Sequence, residues 1–98
     1  MTQGTLVRRV IVEGFVQGVG YRDFARRAAL RLGVSGWVRN RSDGTVEALI
    51  AGAPADVEAM LGEMRRGPGG AAVANLWLLD PDSADQAKTG GFVIRPTR

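Results

Sequence analysis

The fold of this chain is decided by residues 6–32, which read LVRRVIVEGFVQGVGYRDFARRAALRL. The first part, Leu6–Glu13, is short, rich in β-branched residues and followed by Gly14, which predicts a β-strand. The last part, Tyr21–Leu32, predicts an α-helix that ends at Gly33, because its apolar residues recur at helical spacing. The residues of that apolar face are Tyr21, Phe24, Ala25, Ala28 and Leu32. A glycine-rich loop therefore joins a strand to a helix.

The sequence after this helix predicts a hairpin and a second helix. Val34–Arg41 and Thr45–Ala51 have the composition of strands, and Ser42-Asp43-Gly44 between them is a turn signal. The second helix begins near Pro54, a residue favoured in the first helical turn, and ends at Gly67-Pro68-Gly69-Gly70. Its apolar face consists of Val57, Met60, Leu61 and Met64.

The last third of the chain predicts two more strands. Ala71–Leu79 is typical of a fourth strand and Phe92–Arg95 of a short fifth, with the polar connection Pro81–Gly91 between them. Trp77 and Phe92 are expected in or near the core. The acidic residues of this region lack the spacing of a calcium-binding loop, and we expect them to be solvated. They are Asp80, Asp82 and Asp85.

The order of these elements is β-α-β-β-α-β with a short strand added. It predicts an α+β fold, a ferredoxin-like sandwich with an antiparallel sheet, two helices on one face and a short C-terminal fifth strand. The length of 98 residues predicts a single domain, residues 1–98. The two strands of a β-α-β unit are parallel, so strands one and two end at the same edge of the sheet.

Composition narrows the chemistry available to the chain. It has no Cys and no His, and 13 basic against 10 acidic residues give a formal net charge of +3. Disulfides, thiolate nucleophiles, imidazole bases and metals ligated by Cys or His are excluded. A charge of +3 is too small to indicate nucleic acid. The sequence has neither a signal-peptide pattern nor an apolar run of ~20 residues, so we expect a cytoplasmic protein.

The loop Gly14–Arg22 predicts an anion site. Its three glycines permit conformations that turn several backbone N–H groups toward one point, and the helix N-terminus adds a partial positive charge. Arg22 lies in the first helical turn, where a cation is unfavourable by about 0.3–1 kcal/mol unless an anion is bound. Alternatively, Arg22 bends into water or pairs with an acidic residue. The spacing matches neither a P-loop nor a dinucleotide fingerprint.

Asn40 is the second candidate, because it closes the second strand at the same sheet edge. If the third strand lies between strands one and two, the backbones of Arg22 and Asn40 are ~10 Å apart, and both side chains reach one gap. Alternatively, Asn40 hydrogen-bonds its own turn. Trp37 alternates to the opposite side of the strand and is expected to pack there. We also expect ion pairs of Glu13 and Glu47 with Arg8, Arg9 or Arg39.

Three segments together resemble the acylphosphatase family, namely Gly14–Arg22, Gly36–Asn40 and Asp43–Glu47. The resemblance covers residues 6–66 well and the later strands more loosely. Members of that family are small ferredoxin-like enzymes that hydrolyse carboxyl-phosphate anhydrides to a carboxylate and inorganic phosphate. They need no metal or other cofactor and form no phosphoenzyme. The resemblance therefore implies an acyl phosphate as substrate, with no nucleic acid and no membrane as partner.

The resemblance also implies roles for individual residues. Arg22 matches the arginine that binds the phosphate, and Asn40 matches the asparagine that orients the attacking water. Two residues depart from the pattern: Tyr21 stands where Phe is more usual, and Arg41 stands where the animal enzymes often have a small hydroxyl residue. The implied phosphate-binding residues, through backbone amides and the Arg22 side chain, are Phe15, Val16, Gln17, Gly18, Val19, Gly20, Tyr21 and Arg22.

Three other functions stay open on the sequence alone. The same loop occurs as a domain of larger carbamoyl-transferring maturation proteins, so a non-hydrolytic module that binds carbamoyl phosphate or another anion is one alternative. Ferredoxin-like sheets also bind RNA, but the third strand, Thr45–Ala51, lacks aromatic residues on which bases stack. A regulatory domain with a vestigial site would not need both Arg22 and Asn40. We expect the chain to be a monomer.

Overall fold

A computed structural model gives the structure of residues 4–80 and 91–98. Seven elements lie within those ranges, in the order β1 (Leu6–Phe15), α1 (Tyr21–Leu32), β2 (Ser35–Asn40), β3 (Val46–Gly52), α2 (Pro54–Arg66), β4 (Ala72–Leu79) and β5 (Phe92–Ile94). The predicted connection Pro81–Gly91, apart from Gly91, lies outside the described residues, as do Asp82 and Asp85. Within the described residues, neither helix is long and apolar enough to cross a membrane.

The five strands form one sheet in the order β4-β1-β3-β2-β5. β3 lies between β1 and β2, which is the arrangement that Arg22 and Asn40 require to reach one gap, and three of the pairs are antiparallel. The expectation of an antiparallel sheet is wrong at one edge, where β5 runs parallel to β2. The reason lies in the strand directions. β4 is antiparallel to β1 and therefore runs opposite to β2, and β5 runs opposite to β4, so that β5 is parallel to β2. The sheet is therefore mixed within a ferredoxin-like α+β fold.

The core lies between one face of the sheet and the two helices. The predicted apolar faces of both helices point into it, although Phe24 and Leu32 are only partly buried and Ala29 is added. The buried helical residues are Tyr21, Ala25, Ala28 and Ala29 of α1 and Val57, Met60, Leu61 and Met64 of α2. The sheet contributes Val10, Val12, Val38, Val46, Ala48 and Ile50. These residues alternate along their strands, so the intervening side chains lie on the other face.

No described helix covers that other face of the sheet, which we call the open face. Trp77 lies on it, opposite Ile11 in the register, and is 52% exposed. The prediction that Trp77 packs in or near the core is therefore wrong, because β4 is an edge strand and Trp77 lies on the side opposite to its neighbour Leu76, which packs against the core. Phe92 is buried in the core, as predicted. Trp37 packs on the open face between the guanidinium groups of Arg39 and Arg95, 4.6 and 4.8 Å from its ring centroid.

Glu47 is a buried carboxylate at the centre of the open face. It accepts hydrogen bonds from Nε of Arg9 and Nε of Arg39, each at 2.8 Å, and so ties β1, β3 and β2 together. Burial by itself raises the pKa of Glu47, but these two hydrogen bonds and the two positive charges lower it below its ordinary value. The predicted ion pairing of Glu47 is confirmed. Glu13 instead accepts a hydrogen bond from the side chain of Asn75.

Gly36 allows β2 and β3 to approach closely. Its φ is 136°, and a Cβ atom at this position would lie 1.8 Å from the carbonyl oxygen of Leu49. Only glycine fits both the dihedral angle and the space. The residue therefore keeps β2, which ends at Asn40, in register with β3.

Candidate active site

The glycine loop between β1 and α1 forms one wall of an open pocket. Gly20 is the N-cap residue of α1 and has a left-handed conformation, with φ of 77° and ψ of 20°. Among the described residues, no side chain caps this end of the helix. The first N–H groups of α1 and its partial positive charge are therefore available to a ligand.

The pocket has a volume of about 230 Å³ and brings Arg22 and Asn40 together, as predicted. Four of the loop residues expected to bind phosphate also line it, whereas Phe15, Gln17 and Val19 do not. Asp23 and Ile94 line it without having been predicted. The full lining is Val16, Gly18, Gly20, Tyr21, Arg22, Asp23, Asn40 and Ile94. The sequence predicted the fifth strand, which contains Ile94. It did not predict that this strand pairs with β2, which places Ile94 beside the pocket.

Arg22 keeps its charge uncompensated. Within the described residues its guanidinium makes no hydrogen bond and no ion pair, and the neighbouring Asp23 pairs with Arg27 at 3.1 Å instead. Within the described residues, the alternative in which Arg22 pairs with an acidic residue is therefore wrong. A planar cation beside a helix N-terminus can bind a phosphate with two parallel hydrogen bonds.

Asn40 has a polar atom without a partner. Its Oδ1 is buried and accepts no hydrogen bond in the described part of the chain. The alternative in which Asn40 bonds its own turn is wrong: the carboxylate of Asp43 accepts hydrogen bonds from the backbone and hydroxyl of Thr45 instead. These bonds lower the pKa of Asp43. The backbone of Asn40 is held in β2, where its carbonyl oxygen accepts a hydrogen bond from the N–H of Arg98 at 3.1 Å.

The Gln17 side chain connects the glycine loop to the hairpin that carries Asn40. Its Nε2 donates to the carbonyl oxygens of Arg41 and Thr45, at 2.8 and 2.9 Å. Both acceptors belong to the β2–β3 turn. The sequence predicted Gln17 only as a backbone contributor to an anion site, and a contact across 24 residues leaves no local pattern.

The structure also explains the remaining predicted loop residues and the two residues that depart from the family pattern, Tyr21 and Arg41. Phe15 is 63% exposed, and Val19 packs half-buried against the core. The hydroxyl of Tyr21 donates to the carbonyl oxygen of Met64 at 2.7 Å, so the extra polar group is satisfied, and burial raises the pKa of Tyr21. Arg41 directs its guanidinium toward Asp43, at 3.9 Å. In residues 4–80 and 91–98 no acidic cluster is arranged to hold a metal ion.

Known proteins share both this fold and this sequence. The sequence model of the acylphosphatase family matches residues 8–94. An acylphosphatase from Rhizobium etli is 57% identical over 68 residues, which are 69% of this chain and 72% of that protein. The chain belongs to the acylphosphatase family. The crystal structure of an acylphosphatase from Bacillus subtilis has a TM-score of 0.83 at 30% identity, covering 94% of this chain and 99% of that one.

Membership of the acylphosphatase family makes the chain a hydrolase that acts on acid anhydrides and implies a small-molecule acyl phosphate as substrate. The acylphosphatase fold also matches part of a larger protein, full-length HypF in its phosphate- and nucleotide-bound form. The TM-score is 0.84, and the match covers 99% of this chain and 13% of that one at 23% identity. At that identity the likeness concerns the fold alone.

Proposed function

We propose that this protein hydrolyses the carboxyl-phosphate bond of acyl phosphates to a carboxylate and inorganic phosphate, without a metal ion. The observation that supports this most is the shared pocket of Arg22 and Asn40, in which the guanidinium has no partner and Oδ1 of Asn40 is buried and unpaired. One group suits an anion, and the other suits a hydrogen-bond donor such as water.

In this proposal the phosphate is bound by Arg22 and by backbone amides of residues 15–21. The transferred phosphoryl group passes through a loose transition state, in which charge is spread over three equatorial oxygens. N–H groups and a guanidinium that are already oriented stabilise that charge without reorganising. The uncapped N-terminus of α1 and the conformation of Gly20 support this role for the loop.

Asn40 orients the attacking water. Its Oδ1 accepts a hydrogen bond from one O–H of the water, which turns the oxygen lone pair toward phosphorus. The second proton of the water passes to a phosphate oxygen. The leaving group is a carboxylate, whose acid has a pKa near ~4, so it departs at neutral pH without a general acid. This reaction therefore fits a chain that has neither His nor Cys.

The test is hydrolysis of benzoyl phosphate in the presence of EDTA. We expect the wild-type protein to hydrolyse benzoyl phosphate. We expect Asn40→Ala to lose ~100-fold or more in kcat, a loss comparable to that of removing one oriented donor from an active site. Asn40→Ala should still bind inorganic phosphate. A normal kcat in Asn40→Ala would contradict the water-orienting role. A wild-type protein that binds phosphate but does not turn over would favour the alternative, a non-hydrolytic module that binds carbamoyl phosphate or another anion.

We also infer that residues 1–98 form a single domain that acts as a cytoplasmic monomer. The proposed site supports the monomer, because Arg22, Asn40 and the loop all come from one chain. Light scattering after size-exclusion chromatography measures the mass in solution. We expect 10.4 kDa, and a stable dimer mass would contradict the inference.

A further inference from the structure

The last turn of α2 contains a backbone carbonyl group that its own helix cannot satisfy. In the α-helical pattern the carbonyl oxygen of Met64 would accept from the N–H of the residue four positions later. That residue is Pro68, which has no N–H, and Gly67 already donates to the carbonyl oxygen of Glu63 at 2.9 Å. In the protein interior the hydroxyl of Tyr21 donates to the Met64 carbonyl oxygen at 2.7 Å. The hydroxyl therefore takes the place of the missing helical donor.

Tyr21 is also the first residue of α1, beside the candidate active site. The N–H of Phe24 donates to the carbonyl oxygen of Gly20 at 3.0 Å and so makes the first hydrogen bond of this helix. The N–H groups of residues 21–23 precede it and have no acceptor within the helix. Tyr21 is buried and lines the pocket. Its N–H is thus among those proposed to bind phosphate, whereas its hydroxyl is bonded to α2.

The segment after α2 supports the glycine loop by contact as well. Gly67, the C-cap residue of α2, lies against the Tyr21 ring, because a Cβ atom at this glycine would be 3.3 Å from Cε2 of the ring. Gly70 lies near the loop residue Val19, since a Cβ atom at Gly70 would be 3.8 Å from the Cβ of Val19. These two contacts are apolar and have no preferred direction. The hydrogen bond of the Tyr21 hydroxyl is directional, and it fixes where the first residue of α1 lies.

We propose that Tyr21 is a positioning residue, whose hydroxyl holds the glycine loop and the N-terminus of α1 in the conformation that binds phosphate. This inference rests on the proposed function, which assigns the loop amides to the phosphate of the substrate. Without the hydroxyl, the buried carbonyl oxygen of Met64 loses its donor, and the loop is held by apolar contacts alone. Other loop conformations then compete with the one that binds, so part of the binding free energy is used to order the loop.

The test removes the hydroxyl in Tyr21→Phe, which keeps the ring and the backbone amide. Inorganic phosphate is titrated calorimetrically in EDTA. We expect its affinity to fall ~3- to ~10-fold, since the loss cannot exceed the net free energy of about one hydrogen bond. With benzoyl phosphate, KM should rise by a similar factor while kcat is unchanged, because the loop has the same geometry once the substrate is bound. A phosphate affinity equal to that of the wild type would overturn the proposal.

Val57→Ala is the matched control for a loss of stability. Val57 is fully buried in the first turn of α2, about 10 Å along the helix from Met64. Its truncation should lower the urea midpoint at least as much as Tyr21→Phe but leave the phosphate affinity unchanged. If the control loses as much phosphate affinity as Tyr21→Phe, the hydroxyl acts only through overall stability and the proposal is wrong. The phosphate titration needs no turnover, so it decides this proposal even if benzoyl phosphate is not hydrolysed.

Discussion

At the scale of single residues, Arg22 and Asn40 are polar groups that the described structure leaves unsatisfied. A buried oxygen without a donor costs about 1–3 kcal/mol, and a cation in the first turn of a helix costs about 0.3–1 kcal/mol. A bound phosphate and a water remove both costs. Arg22 and Asn40, which carry the proposed reaction, are thus residues that make the unliganded fold less stable than it could be.

Replacing Arg22 should have opposite effects on binding and on stability. We expect Arg22→Ala to weaken phosphate binding in the pocket shared with Asn40 at least ~10-fold and to raise the free energy of unfolding by about 0.3–1 kcal/mol. The amide signals of Gly18 and Gly20 in an NMR titration measure binding, and urea unfolding measures stability. Arg26→Ala on the same helix is the control and should change neither. Wild-type phosphate affinity at those amides would rule out the binding role of Arg22.

Gln17 is predicted to position Asn40 through the β2–β3 turn. In Gln17→Leu the carbonyl oxygens of Arg41 and Thr45 lose a donor, so we expect the free energy of unfolding to fall by about 1–2 kcal/mol. Misalignment of the two halves of the site should lower kcat ~10-fold or more, while KM for benzoyl phosphate changes little. Steady-state kinetics separates the two constants.

A second variant distinguishes the two donated hydrogen bonds from the volume of the Gln17 side chain. Gln17→Glu keeps the length but directs a carboxylate at two carbonyl oxygens, so it should reduce kcat at least as much as Gln17→Leu. Full activity of Gln17→Glu would mean that the hydrogen bonds of Gln17 do not position Asn40.

At the scale of elements, the helices were predictable and the edges of the sheet were not. Tyr21–Leu32 was predicted with its observed bounds, because apolar residues recur at a period close to 3.6. The run Leu76–Leu79 is apolar on both faces, so its pattern could not reveal that Trp77 faces away from the helices. The strands β4 and β5 follow one another along the chain but lie at opposite edges of the sheet. Local sequence does not encode which edge a short strand joins, and therefore does not encode its direction.

Two glycine substitutions should affect stability in opposite directions. Gly36→Ala introduces a Cβ 1.8 Å from the carbonyl oxygen of Leu49 at a φ of 136°, so we expect it to lower the free energy of unfolding by about 3 kcal/mol or more. Gly62→Ala, at an open position within α2, should raise it by about 0.5–1 kcal/mol. Urea unfolding measures both. A Gly36→Ala protein as stable as wild type would mean that β2 and β3 do not approach as described.

At the scale of the whole molecule, the meeting of Arg22 and Asn40 followed from topology, because parallel strands end at one edge of the sheet. The grouping of arginines on the open face beside the β2–β3 turn did not follow. These are Arg9, Arg39, Arg41 and Arg98, and which of them share a face depends on register and on the path of the last residues. The basic character of the sequence was visible, but its concentration at one strand end was not.

Glu47 should make the stability of the molecule depend on pH. Its pKa in the folded protein lies below the ordinary value of 4.5, so the unfolded chain binds the proton first as the pH falls. The stabilisation is complete above about pH 4.5 and is lost as the pH falls through the folded pKa. We therefore expect the free energy of unfolding, measured with urea, to fall less between about pH 7 and about pH 3.5 in Glu47→Gln than in the wild type. Equal losses would exclude Glu47 as a cause.

The pairing of β5 with β2 determines when the geometry of the candidate active site can arise during protein synthesis. Residues 92–98 leave the ribosome after the elements that they contact. Ile94 nevertheless lines the pocket of Arg22 and Asn40, and the N–H of Arg98 donates to the carbonyl oxygen of Asn40. While they remain in the exit tunnel, the glycine loop and Gln17 have already emerged, but β2 is still an open edge. A nascent chain can therefore complete its two amphipathic helices before it completes the candidate active site.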